Sequence, residues 1–174
     1  MKTIILLIPF YFCFNIYGQT KQDVLDDIRD SKEYYETTIA KIQNALSYLS
    51  YCYNVSDISN MKSYASLAES EVSSAKWYAG YAEDEAENAE DKAEALCSSA
   101  SDQAEDAEEY FYSAKYKFSS AMSELSNVVY SDNIYNIKRY LQNATDYLNE
   151  GVRELNYAVD ELNYAISALE YDCK

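Results

Sequence analysis

The sequence predicts an all-α protein built from long, antiparallel, coiled-coil-like helices. Two observations lead to this fold class. After residue 18 the chain has no proline and only two glycines, Gly80 and Gly151, whereas sheet-containing domains need turn residues every dozen or so positions. Apolar residues also recur at alternating spacings of three and four, the pattern of a helix that buries one narrow stripe.

The first 18 residues read as a signal peptide. Lys2 supplies the positive charge, residues 4–14 are largely apolar, and the small Gly18 marks a cleavage position. We therefore expect export, with the protein secreted, periplasmic or on the extracellular surface. Residues 19–174 are predicted to form a single helical coiled-coil domain.

The first predicted helix covers about 21–53. Its stripe ends at a turn over 53–57, where Asn54 and the Ser56-Asp57 pair favour a stop and a new helix N-cap. The stripe contains Val24, Ile28, Ser31, Tyr35, Thr38, Ile42, Ala45, Leu49 and Cys52.

The central predicted helix covers 57–129, and alanine dominates its stripe. Alanine buries little apolar area, so this stripe stabilises chiefly by letting a neighbouring helix approach closely. At 1.5 Å per residue, a continuous helix would be a spine roughly 100 Å long. Its stripe runs through Ala65, Ala68, Val72, Ala75, Ala79, Ala82, Ala86, Ala89, Ala93, Leu96, Ala100, Ala104, Ala107, Phe111, Ala114, Phe118, Ala121, Leu125 and Val128.

The middle of this segment allows two architectures. A stutter near Ala100 keeps the helix continuous, with two outer helices folding back along the spine. Alternatively, Ser101-Asp102 and Glu105 form a capping box, and a break at 98–101, within 97–102, gives an up-down-up-down four-helix bundle. In the bundle Cys97 and Cys173 lie at the same end, as a candidate disulfide.

The last predicted helix covers about 133–172 and follows the turn Ser131-Asp132-Asn133. It has the most apolar stripe, from Ile134 to Leu169. Pairing large residues with small ones sets Phe111 opposite Gly151 and Phe118 opposite Ala144. The first hairpin is predicted to pair Leu49 with Ala65, Ile42 with Val72, Tyr35 with Ala79, and Ile28 with Ala86.

Composition argues against several function classes. The net charge of −16 repels nucleic-acid phosphate and anionic lipid headgroups, so we expect no nucleic-acid binding. No segment after residue 18 is apolar enough to span a bilayer, so we expect no membrane insertion after signal cleavage. Without histidine there is no Ser-His-Asp or Cys-His site, and no Gly-rich phosphate loop is present. We expect no enzyme and no cofactor, with at most weak, non-specific Ca²⁺ binding by the acidic helix faces.

The residues singled out for binding are aromatic. Trp77, Tyr78 and Tyr81 are a candidate interface, because Tyr and Trp are enriched where proteins meet. The competing interpretation is that the 18 tyrosines after residue 18, out of 20 in the sequence, mostly cover a thin core. Asn54 begins the sequon Asn54-Val55-Ser56, a candidate glycosylation site.

Two functions therefore remain open. The first is a structural or interaction protein that self-associates or binds another protein, acting as a coiled-coil spacer or assembly component. The second is a compact helical-bundle binding module that recognises a protein or small ligand through a tyrosine-rich face.

Overall fold

The structure, a computed structural model, describes residues 20–173 and shows four helices in sequence. These are α1 (Lys21–Asn54), α2 (Ile58–Glu94), α3 (Ser98–Tyr130) and α4 (Ile134–Tyr171). The predicted signal peptide lies outside the described residues. The all-α prediction is confirmed, and so is the four-helix alternative. None of the helices between residues 20 and 173 carries an apolar stretch long enough to cross a bilayer.

The prediction of a continuous central helix is wrong. The backbone N–H groups of Leu96 and Cys97 both donate to the Ala93 carbonyl, at 2.8 and 2.7 Å, and these bonds close α2. Cys97 then takes an extended conformation and starts α3. The break lies at residues 95–97, just before the predicted 98–101. The Ser101-Asp102 capping-box prediction is also wrong, because both residues lie inside α3.

The break lets two alanine stripes cover one another. Eight alanines of α2 and five of α3 are buried, and α2 packs against α3 nearly as extensively as each packs against its outer neighbour. In a straight spine these stripes would continue along one helix and could not contact each other. The break at residues 95–97 therefore buries alanine side chains of α2 and α3 that α1 and α4 alone would leave partly exposed.

The other helix boundaries agree with the turn signals. Thr20 and Asp23 form a capping box at the start of α1. Asp57 accepts a hydrogen bond from the Asn60 backbone N–H at the start of α2, and Asn133 accepts from the first turn of α4. Helices of 33 to 38 residues are about 50–57 Å long, so the molecule is a bundle rather than a rod.

The first hairpin has the predicted register. Ser31 Oγ donates to the Ala82 carbonyl at 2.7 Å, between the predicted Ile28–Ala86 and Tyr35–Ala79 levels. Cys52 Sγ donates to the Met61 carbonyl at 3.4 Å. Of the predicted α1 stripe, Tyr35 is only half-buried, and Asp27 is buried in addition.

The last hairpin is shifted by one heptad from the predicted register. Gly151 lies against the ring of Phe118, not Phe111. Ala158 follows Gly151 by the seven residues that separate Phe111 from Phe118, so Phe111 is level with Ala158. Large residues still meet small ones, but with different partners.

A disulfide between Cys97 and Cys173 closes one end of the bundle. Their Cα atoms are 5.5 Å apart, within the range that a disulfide spans. At the same end Lys21 Nζ donates to the Leu169 carbonyl at 2.7 Å, a favourable cation at the C-terminus of α4. Cys52 is a free, buried thiol, and burial raises its pKa to about 11.

Candidate functional site

Trp77 is the most exposed large apolar side chain on α2, with 69% of its surface accessible. It is also the only tryptophan in the chain. It lies on the outer side of α2, because the buried stripe passes through Ala75, Ala79 and Ala82. A side chain of this size that packs against no core is suited to an interface.

A groove of about 380 Å³ lies beside Trp77 on the surface between α2 and α3. Gly80 leaves its floor open, since it has no side chain between Trp77 and Tyr81. Met122 and the aliphatic part of Lys115 form the α3 side. The full lining is Ser73, Lys76, Trp77, Gly80, Tyr81, Asp84, Lys115 and Met122.

A second, shallower depression continues from Trp77 toward the start of α2. Its α2 side consists mostly of small residues. Ser73, Trp77 and Met122 border both depressions. Trp77 thus stands in the middle of a longer channel along the α2–α3 surface. The second depression is lined by Ser66, Glu69, Ser70, Ser73, Ser74, Trp77 and Met122.

The three predicted interface residues are not equivalent. Trp77 and Tyr81, one helical turn apart, both line the groove. Tyr81 is 45% exposed, and its ring lies 5.3 Å from the Tyr34 ring of α1 and 6.3 Å from that of Tyr78. Tyr78 is half-buried and does not line the groove. It supports Tyr81 from the side.

The sequence did not indicate the other groove residues. Lys115 and Met122 lie on α3, and a continuous spine would have placed them far from Trp77. Gly80 carried the available signal, because a glycine between two aromatic residues on an exposed helix face leaves a gap between their side chains. Nothing in the sequence distinguishes Asp84 from the other solvent-exposed acidic residues of α2.

Charged residues surround one end of the groove. Lys115 Nζ forms an ion pair with Glu83 of α2 and lies 5.9 Å from the centre of the Tyr112 ring. Farther along the same α2–α3 surface are Glu87, Glu90, Glu105 and Glu108, which lie close enough together that their carboxylates raise the pKa values of Glu90 and Glu108. Together with Glu83, these four residues form the acidic cluster.

Two carboxyl groups of the acidic cluster have raised pKa values. Burial is the largest cause for both Glu90 and Glu108. Repulsion adds to it, from Glu105, Asp91 and Glu87 on Glu90 and from Glu87, Glu90 and Glu83 on Glu108. When Glu108 is protonated it donates a hydrogen bond to Glu90, which favours the shared-proton form.

The remaining predicted sites are separate from the groove. Asn54 is exposed at the last position of α1, and its side-chain amide donates to the Ser50 carbonyl at 2.9 Å. Its glycosylation stays a prediction. Among residues 20–173 no group of three potential ligands is placed to hold a metal ion, and the expected weak Ca²⁺ binding stays a prediction too.

Comparison with known proteins gives no relative from which a function could be transferred. No family model, no curated protein and no solved structure matches this chain.

Proposed function

We propose that this protein is a non-catalytic, exported binding module that recognises a partner protein through the Trp77 groove. The observation that carries the proposal is the exposed Trp77 beside a groove with Tyr81 and Met122 on its walls. A rigid aromatic side chain next to an apolar recess is the usual form of an interface hot spot.

The remainder of the molecule supports this function. The helices are about 55 Å long, whereas the continuous spine would have been about 100 Å. The bundle is therefore less suited to act as a spacer than the predicted rod. The Cys97–Cys173 bridge suits an oxidising compartment, as export requires. The bundle core is closely packed by alanine, which gives the groove a rigid support.

The partner contact is tested by placing an aromatic photo-crosslinking amino acid at position 77 of the full chain, so that an apolar ring still occupies the place of Trp77. A matched chain carries it at position 135, because Tyr135 is also exposed, at 75%, and belongs to another helix. We expect defined adducts from extracellular fluid at position 77 and none at 135. Tyr81→Ala should remove the adduct at 77, since Tyr81 lines the same groove.

The proposal predicts a definite pattern in this experiment. Equal crosslinking from positions 77 and 135, or an adduct that Tyr81→Ala leaves unchanged, would contradict it. Circular dichroism of each chain checks that the helices are intact.

A further inference from the structure

The Trp77 groove opens at one end onto the most acidic part of the molecule. Between Glu83 and Glu109 lie seven acidic residues on α2 and five on α3, out of 30 in the whole chain, with Lys92 as the one basic residue. Asp27 of α1 already pairs with Lys92, at 2.5 Å. Charge is therefore concentrated here and not spread evenly over the bundle.

The acidic cluster is short of cations. Lys115 lies between the groove and the cluster, but it pairs with Glu83. In residues 20–173 no lysine or arginine forms an ion pair with Glu90 or Glu108. Burial first, and then repulsion from neighbouring carboxylates, raises the pKa values of both groups.

We infer that the groove and the acidic cluster together receive one cationic amphipathic helix of a partner protein. An apolar side chain of that helix enters the groove beside Trp77, and its lysine or arginine side chains lie along Glu87, Glu90 and Glu108. This inference rests on the proposed function and adds the chemistry of the partner.

The dimensions suit a helix. Trp77 and Glu90 are 13 residues apart on α2, which is about 20 Å or between three and four turns. A partner helix lying along the α2–α3 surface would present anchors at i, i+4, i+7 and i+11. Complementary charge sets its position, because the basic residues must lie on the side of the apolar anchor that faces Glu87, Glu90 and Glu108.

The charge of the chain argues against two other occupants of the groove, a second copy of the chain and an acidic partner. Residues 83–109 carry a net −11, and the rest of the chain is itself acidic, since 18 acidic residues face 13 basic ones there. A second copy would therefore bring like charges together in either orientation, and an acidic partner would be repelled.

The probe is a synthetic amphipathic peptide of about 16 residues, with one leucine anchor followed by lysines at helical spacing. Two control peptides replace the lysines by glutamate or the leucine by alanine. Fluorescence of the single Trp77 and calorimetry with the full chain report binding. We expect the lysine peptide to bind at least about tenfold more tightly than either control, with affinity that falls as salt is added.

Two triple variants separate the site from overall charge. Glu87→Gln/Glu90→Gln/Glu108→Gln removes charge at the acidic cluster. Asp146→Asn/Asp160→Asn/Glu170→Gln removes the same charge at exposed positions of α4, which lies diagonally across the bundle from α2. We expect the first variant to weaken peptide binding about tenfold and the second to leave it nearly unchanged. Tyr81→Ala should weaken binding with Trp77 retained as reporter.

Three outcomes of the peptide-binding measurements would overturn the inference. Equal weakening by both triple variants, or no loss with Tyr81→Ala, would overturn the inference, because binding would be non-specific. Failure of the lysine peptide to exceed its controls would overturn it as well. Crosslinking at position 77 to a partner without a basic helix would leave the proposed function standing and refute only this inference. A dimer formed through Trp77 would overturn both, because the groove would then bind a second copy of the chain. Thermal unfolding confirms that every variant is folded.

Discussion

Gly151 is buried in α4 at a position with no room for a methyl group. A Cβ atom there would overlap the Phe118 ring, approaching Cδ1 to 2.9 Å, whereas a Cβ at Gly80 would come no closer than 3.8 Å to Lys115. Neither glycine has a positive φ, so alanine suits both backbones. We expect Gly80→Ala to raise the free energy of unfolding by about 0.5–1 kcal/mol. Gly151→Ala should lower it by about 1–3 kcal/mol, as measured by urea unfolding.

The partner of Gly151 can be identified by rescue. Shortening Phe118 to leucine in the Gly151→Ala background should recover part of the lost stability, because the overlapping ring atoms are gone. The matched change Phe111→Leu in the same background should lower the free energy of unfolding further, because the ring against residue 151 is that of Phe118. Rescue by Phe111→Leu instead would show that the last hairpin has the register predicted from the sequence and not the one described here.

That register illustrates what a heptad pattern leaves undetermined. Phe111 and Phe118 occupy equivalent positions one heptad apart, and so do Ala144, Gly151 and Ala158. Sliding α4 by seven residues therefore keeps the same face buried and still pairs large with small. The pattern identified most buried residues of the four helices but missed Met61, Ser101, Ala165 and Ala168, and Ile134, predicted in the α4 stripe, is exposed. It also could not choose between equivalent alignments.

The break between α2 and α3 was undetermined for a related reason. Residues 95–97 are Ala, Leu and Cys, without the glycine, proline or side-chain cap that ends most helices, and Cys97 makes no side-chain capping bond. The site depends on this break. In a continuous helix Trp77 and Met122 would be about 68 Å apart, so the exposed tryptophan was predictable and its groove was not.

The interface between α2 and α3 contains a pair of carboxyl groups that oppose its stability at neutral pH. The pKa values of Glu90 and Glu108 lie above the ordinary 4.5 in the folded protein, so the folded state binds protons more tightly than the unfolded state. Their penalty is full above the folded pKa, decreases as the pH falls through the folded pKa, and vanishes below 4.5. We expect Glu90→Gln and Glu108→Gln each to stabilise the protein at pH 7 by about 0.2–0.5 kcal/mol, the usual size of a like-charge effect.

The same variants should flatten the pH dependence. Between pH 7 and pH 4.5 the wild-type protein should gain stability from this pair, and each glutamine variant should gain less. The neighbouring, exposed Glu109 provides the control, because Glu109→Gln lowers the net charge equally. Thermal unfolding at several pH values measures the difference. An equal effect of Glu109→Gln would assign the dependence to overall charge and not to the Glu90–Glu108 pair.

The bundle as a whole combines a thin core with one covalent link. Alanine provides most of the buried side chains of α2, so apolar burial per residue is small there. The Cys97–Cys173 disulfide spans 76 residues and joins the α2–α3 turn to the end of α4. Chain-entropy arguments give about 4–5 kcal/mol for a loop of this length, a large part of the ~5–15 kcal/mol typical of a domain.

Removing this link should therefore weaken one end of the molecule first. Cys97→Ala/Cys173→Ala avoids the new N-cap that serine would give α3. It should lower the free energy of unfolding by up to about 4 kcal/mol and speed amide exchange around residues 95–98 and at the C-terminal turn of α4. The far end, where Cys52 donates to the Met61 carbonyl, should exchange as before. The control is Cys52→Ala, which removes a buried thiol but leaves the Cys97–Cys173 disulfide intact. Its effect should centre on the α1–α2 turn.

Amide exchange that rises equally at both ends of the disulfide-free protein would contradict this prediction. The bundle would then unfold as one unit, and the disulfide would not selectively protect the end of the bundle where it lies.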